Sequence, residues 1–172
     1  MFEQVDYKHL QINPFTTIAE DAFLLTAADG SSWNTMTGGW GAMGVLWSKP
    51  VCIVFVRDSR YTYTFMEKAE GFTLSFFPLE WKKALTFCGS HSGRDTDKVA
   101  ATGLIPVELD GSGGTGRIAF EQANMIFSCT KAARVPFDPS CFVLNNIEDH
   151  YPRKDYHRMY VGYIDQILVR EI

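Results

Sequence analysis

Residues 32–61 read SWNTMTGGWGAMGVLWSKPVCIVFVRDSRY. The run VCIVFV at 51–56 carries no polar side chain, which predicts a strand buried on both faces. Lys49-Pro50 separates it from a segment rich in small residues, with Gly38, Gly39, Gly41 and Gly44. That segment, 37–47, reads as a loop or as a short helix with a smooth face, because glycines let a backbone approach another surface closely. After the strand come Arg57 and Arg60, at the mouth of a helix predicted over 61–69. Thr64 and Glu67 stand there at capping-box spacing. A small-residue turn, an apolar strand and two guanidiniums together suit a flat aromatic ligand with an anionic tail.

Working outward, residues 1–20 form a polar lead-in with a turn at Asn13-Pro14-Phe15. An apolar run at 22–28, the turn Asp29-Gly30 and a second run at 31–36 predict a hairpin. Beyond Gly71, residues 72–77 read as another strand. Helices are predicted over 79–87 and 95–101, with a polar loop between them. Short strands at 107–109 and 117–120 flank a glycine-rich turn. Residues 123–134 form a long strand in which Met125, Phe127 and Cys129 alternate. A turn at 137–140 precedes closing strands at 141–144 and 160–169, joined by a polar connection over 145–157. Six to eight short strands with few helices predict a mainly β, antiparallel barrel. No repeat or linker divides the chain, so residues 1–172 read as one domain.

Of the 172 residues, 46% are hydrophobic and 21% charged, the composition of an ordinary soluble protein. Aromatic residues reach 14%, which favours sheets, interfaces and flat ligands. The net charge of -4 argues against a nucleic-acid-binding domain, which carries a basic face. Cys52, Cys88, Cys129 and Cys141 stand too far apart for a close zinc-binding pair. The polar MFEQVDYKHL does not read as a signal peptide, and no apolar run is long enough to cross a membrane. The simplest reading is a cytoplasmic protein with reduced thiols.

Gly111-Ser112-Gly113-Gly114-Thr115-Gly116 spells G-x-G-x-x-G, but that motif needs a helix after it to meet a pyrophosphate. Arg117-Ile118-Ala119-Phe120 is strand-like, so the glycines read as a hairpin tip. Arg57-Asp58-Ser59-Arg60-Tyr61-Thr62 is stronger. Two guanidiniums can hold phosphate oxygens by paired charge-assisted bonds, three hydroxyls stand beside them, and a helix start adds amide donors. The same residues also permit Asp58 to pair with one arginine at the surface. Ser92-Gly93-Arg94-Asp95-Thr96-Asp97-Lys98 offers two more cations, with Asp95 available as a helix cap. It reads equally as a solvated helix start. His157 stands just before the last strand, as a proton donor, a ring-stacking group or a partner for strand-end backbone. No histidine pair forms a metal signature.

Taken in order, these segments resemble the flavin reductase-like, FMN-binding split-barrel family, and within it the flavoredoxin-like branch. The resemblance rests on Asn34-Thr35-Met36-Thr37 with Trp40-Gly41, on Gly44-Val45-Leu46-Trp47 with Lys49-Pro50, and on Arg57, Arg60, Tyr61 and Thr62. It continues through Phe72-Thr73-Leu74-Ser75-Phe76, through Ser92-Gly93-Arg94-Asp95 with Asp97-Lys98, and through His157-Arg158-Met159-Tyr160-Val161-Gly162. It implies a split, Greek-key antiparallel barrel with short peripheral helices, and a homodimer that binds FMN near its interface. By that resemblance Asn34, Thr35, Met36 and Thr37 line the isoalloxazine, Trp40 walls it, and Arg57, Ser59, Arg60, Tyr61 and Thr62 receive the phosphate. Ser92, Gly93, Arg94 and Lys98 complete the site. The chain departs from the pattern after Gly162, where many relatives carry an acid. It also lacks the Gly-Asp-His motif of many two-component reductases, so no nicotinamide-binding histidine carries over.

The resemblance implies an oxidoreductase, an NAD(P)H-dependent flavin reductase in which the flavin carries the redox chemistry. Its alternative is a flavoredoxin-like carrier that keeps FMN and passes electrons to a redox protein partner. An oxidase of the pyridoxamine-phosphate type shares only the barrel. No protein nucleophile is required, and His157 is the candidate for ligand contact.

Overall fold

The computed structural model describes residues 1–109 and 116–170. Its strands are β1 (Phe2–Gln4), β2 (Phe23–Asp29), β3 (Ser32–Gly38), β4 (Gly41–Leu46), β5 (Lys49–Arg57), β6 (Gly71–Phe76), β7 (Pro106–Glu108), β8 (Ile118–Phe120), β9 (Met125–Pro136) and β10 (His157–Arg170). The helices are α1 (Pro14–Thr16), a single turn that runs on into a π-type turn over Thr17–Asp21, then α2 (Tyr61–Lys68), α3 (Lys82–Ser90) and α4 (Lys98–Thr102). Among the described residues no helix is long and apolar enough to cross a membrane.

Eight strands form one antiparallel sheet in the order β3-β2-β6-β9-β10-β5-β4, with β1 pairing along the far end of β10. The two ends of that order, β3 and β4, are consecutive in the chain and separated only by Gly39 and Trp40. Three Cα–Cα steps span at most about 11 Å, so the sheet must curl until its ends nearly meet. The result is a barrel with one unpaired seam between β3 and β4, the split architecture that the resemblance implied.

Burial on both sides of the sheet explains the near-continuous apolar strands. Leu25 and Phe127 point into the barrel with Val54, Phe72, Leu74 and Tyr160. Their neighbours Leu24 and Ile126 point outward, against Leu85, Cys88, Leu104 and Phe120 beneath α3 and β8. Period-two alternation therefore separates two cores rather than core from solvent. Helix α2 lays Phe65 and Met66 on the inner core. Its Glu67 fastens it there, accepting from Arg158 Nη1 at 3.0 Å and from the Tyr160 hydroxyl at 2.6 Å. Glu67 is thus a tether, and the capping box expected with Thr64 does not form. The Thr64 hydroxyl donates to the Tyr61 carbonyl, while Arg60 occupies the N-cap and no side chain caps the helix.

Four other local expectations are corrected. Residues 37–47, read as a loop or short helix, contain β4, an edge strand that is mostly exposed and so lacks an apolar face to betray it. A Cβ on Gly41 would lie 2.8 Å from the Ile53 carbonyl, so a smooth strand packs where a side chain would clash. Residues 141–144 form no strand. A 3₁₀ turn at Pro139–Cys141 is capped by Asp138, and Val143 and Leu144 face solvent. Helix α4 begins at Lys98, not Asp95, because Asp97 accepts from the Ala100 amide at 3.0 Å and takes the N-cap. The lead-in is more ordered than its polarity implied, since β1 adds to the sheet and Asn13 caps α1. Residues 110–115 of the glycine-rich tip lie outside the described residues. Their flanks β7 and β8 pair as antiparallel strands, and no helix follows.

The β4–β5 hairpin turns through Trp47 and Ser48, whose φ angles are 50° and 59°. Both lie in the left-handed region that a two-residue type I′ turn requires and that glycine or asparagine adopts most readily. Replacing Ser48→Gly is therefore expected to stabilise the protein by about 0.5–1 kcal/mol, read as a higher urea midpoint at unchanged slope.

Candidate functional site

Beside the β3–β4 bridge lies a cleft with two lobes. The larger, about 530 Å³, is lined by Met36, Thr37, Trp40, Phe55, Arg57 and His157, among others. The smaller, about 140 Å³, is lined by Asn34, Tyr61, Thr62, Ser92, Gly93, Arg94 and Lys98, among others. Met36, Ser59 and Arg60 belong to both, so the lobes are continuous.

The smaller lobe is cationic. Arg60, Arg94 and Lys98 line it beside His91, with no carboxylate among its walls. It lies at the uncapped N-terminus of α2, where free amides and the positive end of the helix dipole favour an anion. Arg60 Nη2 donates to the Gly89 carbonyl at 2.9 Å, which orients its guanidinium. The Arg94 guanidinium lies 5.0 Å over the Tyr61 ring. Lys98 is buried and donates to the carbonyls of Thr35 and Cys88 at 2.7 and 2.9 Å, two of its three N–H bonds. Burial pulls its pKa down; Cys88 opposes that shift and Arg60 adds to it. The lobe's floor is tightly built, with Asn34 Nδ2 2.7 Å from the Thr62 hydroxyl. A Cβ at Gly93 would fall 2.0 Å from Asn34 Oδ1, so the loop carrying Ser92 and Arg94 can lie this close only through glycine.

The larger lobe is differently balanced. Arg57 and His157 are directly paired in the β5–β10 ladder, which places both at the same end of the barrel. Arg57 Nη1 donates to Asp155 Oδ1 at 2.8 Å, and the Ser59 hydroxyl donates to Asp155 Oδ2 at 3.0 Å. The second Arg57 amino group donates to the His150 carbonyl at 2.9 Å, and the guanidinium lies 5.1 Å over the Tyr151 ring. The partner of Arg57 is thus Asp155, not Asp58. Desolvation raises the Asp155 pKa, but Ser59 and Arg57 outweigh it and the net shift is downward.

His157 is buried, with Nδ1 2.8 Å from the Tyr151 hydroxyl and its ring 5.0 Å from that of Trp40. Desolvation first, then Arg57 and Arg60, lower its pKa to about 4 against the pull of Asp155. It therefore presents an uncharged imidazole at neutral pH.

The structure brings Asn34, Met36, Thr37, Trp40, Arg57, Ser59, Arg60, Tyr61, Thr62, Ser92, Gly93, Arg94, Lys98 and His157 to this one cleft. Thr35 is the exception. Its side chain is turned into the sheet, bonding Thr26 Oγ1 and the Leu25 carbonyl, and only its backbone carbonyl serves the site by holding Lys98. Sequence reasoning missed Phe55, Arg153 and Asp155 in the larger lobe. Phe55 was legible as a member of the apolar run. Asp155 was not, because its partner Arg57 is 98 residues away and no local pattern links them.

The His157 shift sets a pH dependence. With a folded pKa near 4, below the ordinary 6.5, the folded state binds fewer protons between those values. Stability from this group is complete above pH 6.5 and is lost as the pH falls toward 4, by about 1–3 kcal/mol in an open cleft. In urea unfolding at pH 7 and pH 4.5, His157→Gln is expected to lose less stability between the two pH values than the parent. An equal loss in both proteins would remove His157 from the account.

Comparison with known proteins places this cleft in context. Solved structures share the fold. An FMN-binding protein from Thermus thermophilus superposes with a TM-score of 0.66 at 21% identity, covering 95% of this chain and 79% of that one. The flavoredoxin of Desulfovibrio vulgaris (Miyazaki F) gives 0.67 at 22% identity, covering 90% and 73%. An FMN-binding domain of a flavin reductase-like enzyme from Shewanella baltica gives 0.68 at 15%, covering 98% and 77%. No curated protein matches the sequence. The flavin reductase-like domain model, however, matches residues 15–168, and this chain belongs to the flavin reductase-like domain family.

Proposed function

We propose that this chain binds FMN in the two-lobed cleft and acts as an NAD(P)H-dependent flavin reductase. The observation that carries the reading is the smaller lobe, in which three cations and an uncapped helix start face a pocket without a carboxylate. Such a lobe fits a phosphate dianion, and the adjoining larger lobe has the room and the flat aromatic wall for a ring system. Family membership and the FMN-binding proteins among the structural neighbours support it.

In this reading Arg60, Arg94, Lys98 and Ser92 hold the phosphate by charge-assisted bonds. Lys98 is already oriented by two carbonyls, so little side-chain freedom remains to be lost on binding. Arg57 is not a primary phosphate ligand, because Asp155 and the His150 carbonyl satisfy it. Its work is to hold the segment before β10 over the larger lobe. Met36, Thr37 and Trp40 wall the ring. The bound FMN would supply hydride acceptance from a nicotinamide and onward electron transfer. His157, uncharged at neutral pH, offers a neutral contact at the cleft and does not donate a readily lost proton.

A flavoredoxin-like carrier passing electrons to a redox protein partner is the second reading, favoured by the shared fold with flavoredoxin. We place the protein in the cytoplasm as a single-domain homodimer. The exposed edge strand β4 and the turn after it support the dimer, since Val45 and Trp47 keep 70% and 56% of their surface in solvent.

Aerobic oxidation of NADH and NADPH in the presence of free FMN separates the two readings. Flavin-dependent turnover is expected, whereas a yellow protein that neither nucleotide reduces would sink the reductase assignment. Arg60→Ala is expected to weaken FMN binding by about 10- to 100-fold and riboflavin binding by less than about threefold, from the loss of a charge-assisted phosphate contact. Arg57→Ala should fall well short of that. Equal losses for FMN and riboflavin in Arg60→Ala would exclude its phosphate role.

A further inference from the structure

Between β9 and β10 runs a long connection, residues 138–156, which walls the larger lobe through Arg153 and Asp155. Its ends meet, because the Phe137 amide donates to the His157 carbonyl at 2.9 Å. Among the described residues, every backbone–backbone hydrogen bond made by 138–156 closes within that segment. The segment also carries a small core of its own. The Phe142 and Tyr151 rings stack at 6.0 Å, and Tyr156 lies 4.9 Å from Tyr151. Loops longer than about 12–15 residues commonly serve as lids, and one with joined ends and internal packing can move as one piece. Its side-chain hydrogen bonds to the rest of the described chain come from Arg57, Ser59 and His157. Its His150 ring meets Trp40 edge-on at 5.5 Å.

We propose that residues 138–156 are a flap latched by Arg57, and that ligands enter and leave the larger lobe when the latch opens. One guanidinium holds the flap at two points, at Asp155 beside the hinge and at the His150 carbonyl farther out. Releasing it frees both at once. The ion pair is only half-buried, with 26% and 18% of the two side chains exposed, so water can replace its bonds as it opens. The bonds of Arg57 are spent on the flap, so the latch is the same whether the lobe is empty or filled. A contact made equally in both states leaves equilibrium affinity alone and changes only the rates of exchange. Arg57 is thus a positioning residue whose signature is kinetic. That the exchanging ligand is FMN rests on the flavin reading of the cleft, but the latch itself does not.

Two measurements on the whole protein test the latch, each made on the parent, on Arg57→Ala and on Asp155→Ala, so that one variant suffices if the other does not fold. The first needs no flavin. Cys141 lies on the flap and is exposed, whereas Cys52, Cys88 and Cys129 are buried, so a spin label on Cys141 and another on Lys83→Cys, at an exposed position of α3, report the distance from flap to barrel. The variants are expected to add a population at longer distance to the parent's distribution. The second is stopped-flow quenching of FMN fluorescence. Loss of the charge-assisted bonds is expected to speed association and dissociation alike, each by about tenfold or more, with Kd within about threefold of the parent. Faster release at unchanged association would make the segment a fixed wall and overturn the proposal. Distance distributions identical to the parent in both variants would overturn it as well. A parent that binds no FMN removes the flavin reading instead, and the distance measurement then decides the latch on its own.

Discussion

Everything in this molecule depends on a two-residue bridge. Gly39 and Trp40 join β3 to β4, which stand at opposite ends of the sheet order. A bridge that short forces the sheet to curl, because its outermost strands cannot be farther apart than two extended residues allow. The curl creates an interior, and the interior accepts Phe72, Phe127 and Tyr160. It also leaves a seam, since β3 and β4 do not pair. The barrel stays unpaired there, and the cleft lies beside the bridge, with Gly38, Gly39 and Trp40 among its walls.

Around that seam the chain segregates its charges. One lobe gathers Arg60, Arg94 and Lys98 without an acid. The other places Arg57 against Asp155 and so neutralises it. An unpaired cation cluster at a helix start is costly to hold without an anion, whereas the Arg57–Asp155 pair is already satisfied. The two arginines of one short motif are therefore not equivalent. Arg57 faces back along β5 toward the segment before β10, and Arg60, three residues on, stands at the N-cap of α2. Trp40, on the bridge itself, lines both the polar cleft and an apolar space beside Ile18, Met43 and Phe137, so a two-residue connection borders both.

Much of this was legible in the chain. The hairpin at Asp29-Gly30, the buried strand over 51–56 and the long alternating strand over 123–134 are patterns set by neighbours in sequence, and they stand in the structure. The convergence of residues near Asn34, Arg60 and Ser92 was legible only through resemblance to a family. What failed were features whose outcome is decided from outside the segment. β4 is a strand because β5 lends it hydrogen bonds, not because its glycines favour one. Residues 141–144 are apolar yet form no strand, and Val143 and Leu144 stand in solvent after an Asp138-capped turn. Glu67, at capping-box spacing, was drawn instead to Arg158 and Tyr160 across the barrel.

The sequence by itself determined a mainly β domain, the strand-rich order of its elements, and the supply of basic and aromatic side chains for a flat anionic ligand. These follow from periodicity, turn residues and composition, which are local. Only the tertiary structure decided which arginine is free, because the acid that satisfies Arg57 lies 98 residues away. It also decided that His157 is held uncharged, since burial and nearby guanidiniums set its proton affinity. Charge pairing and desolvation act through space and are created only when the barrel curls, so no reading along the chain could assign them.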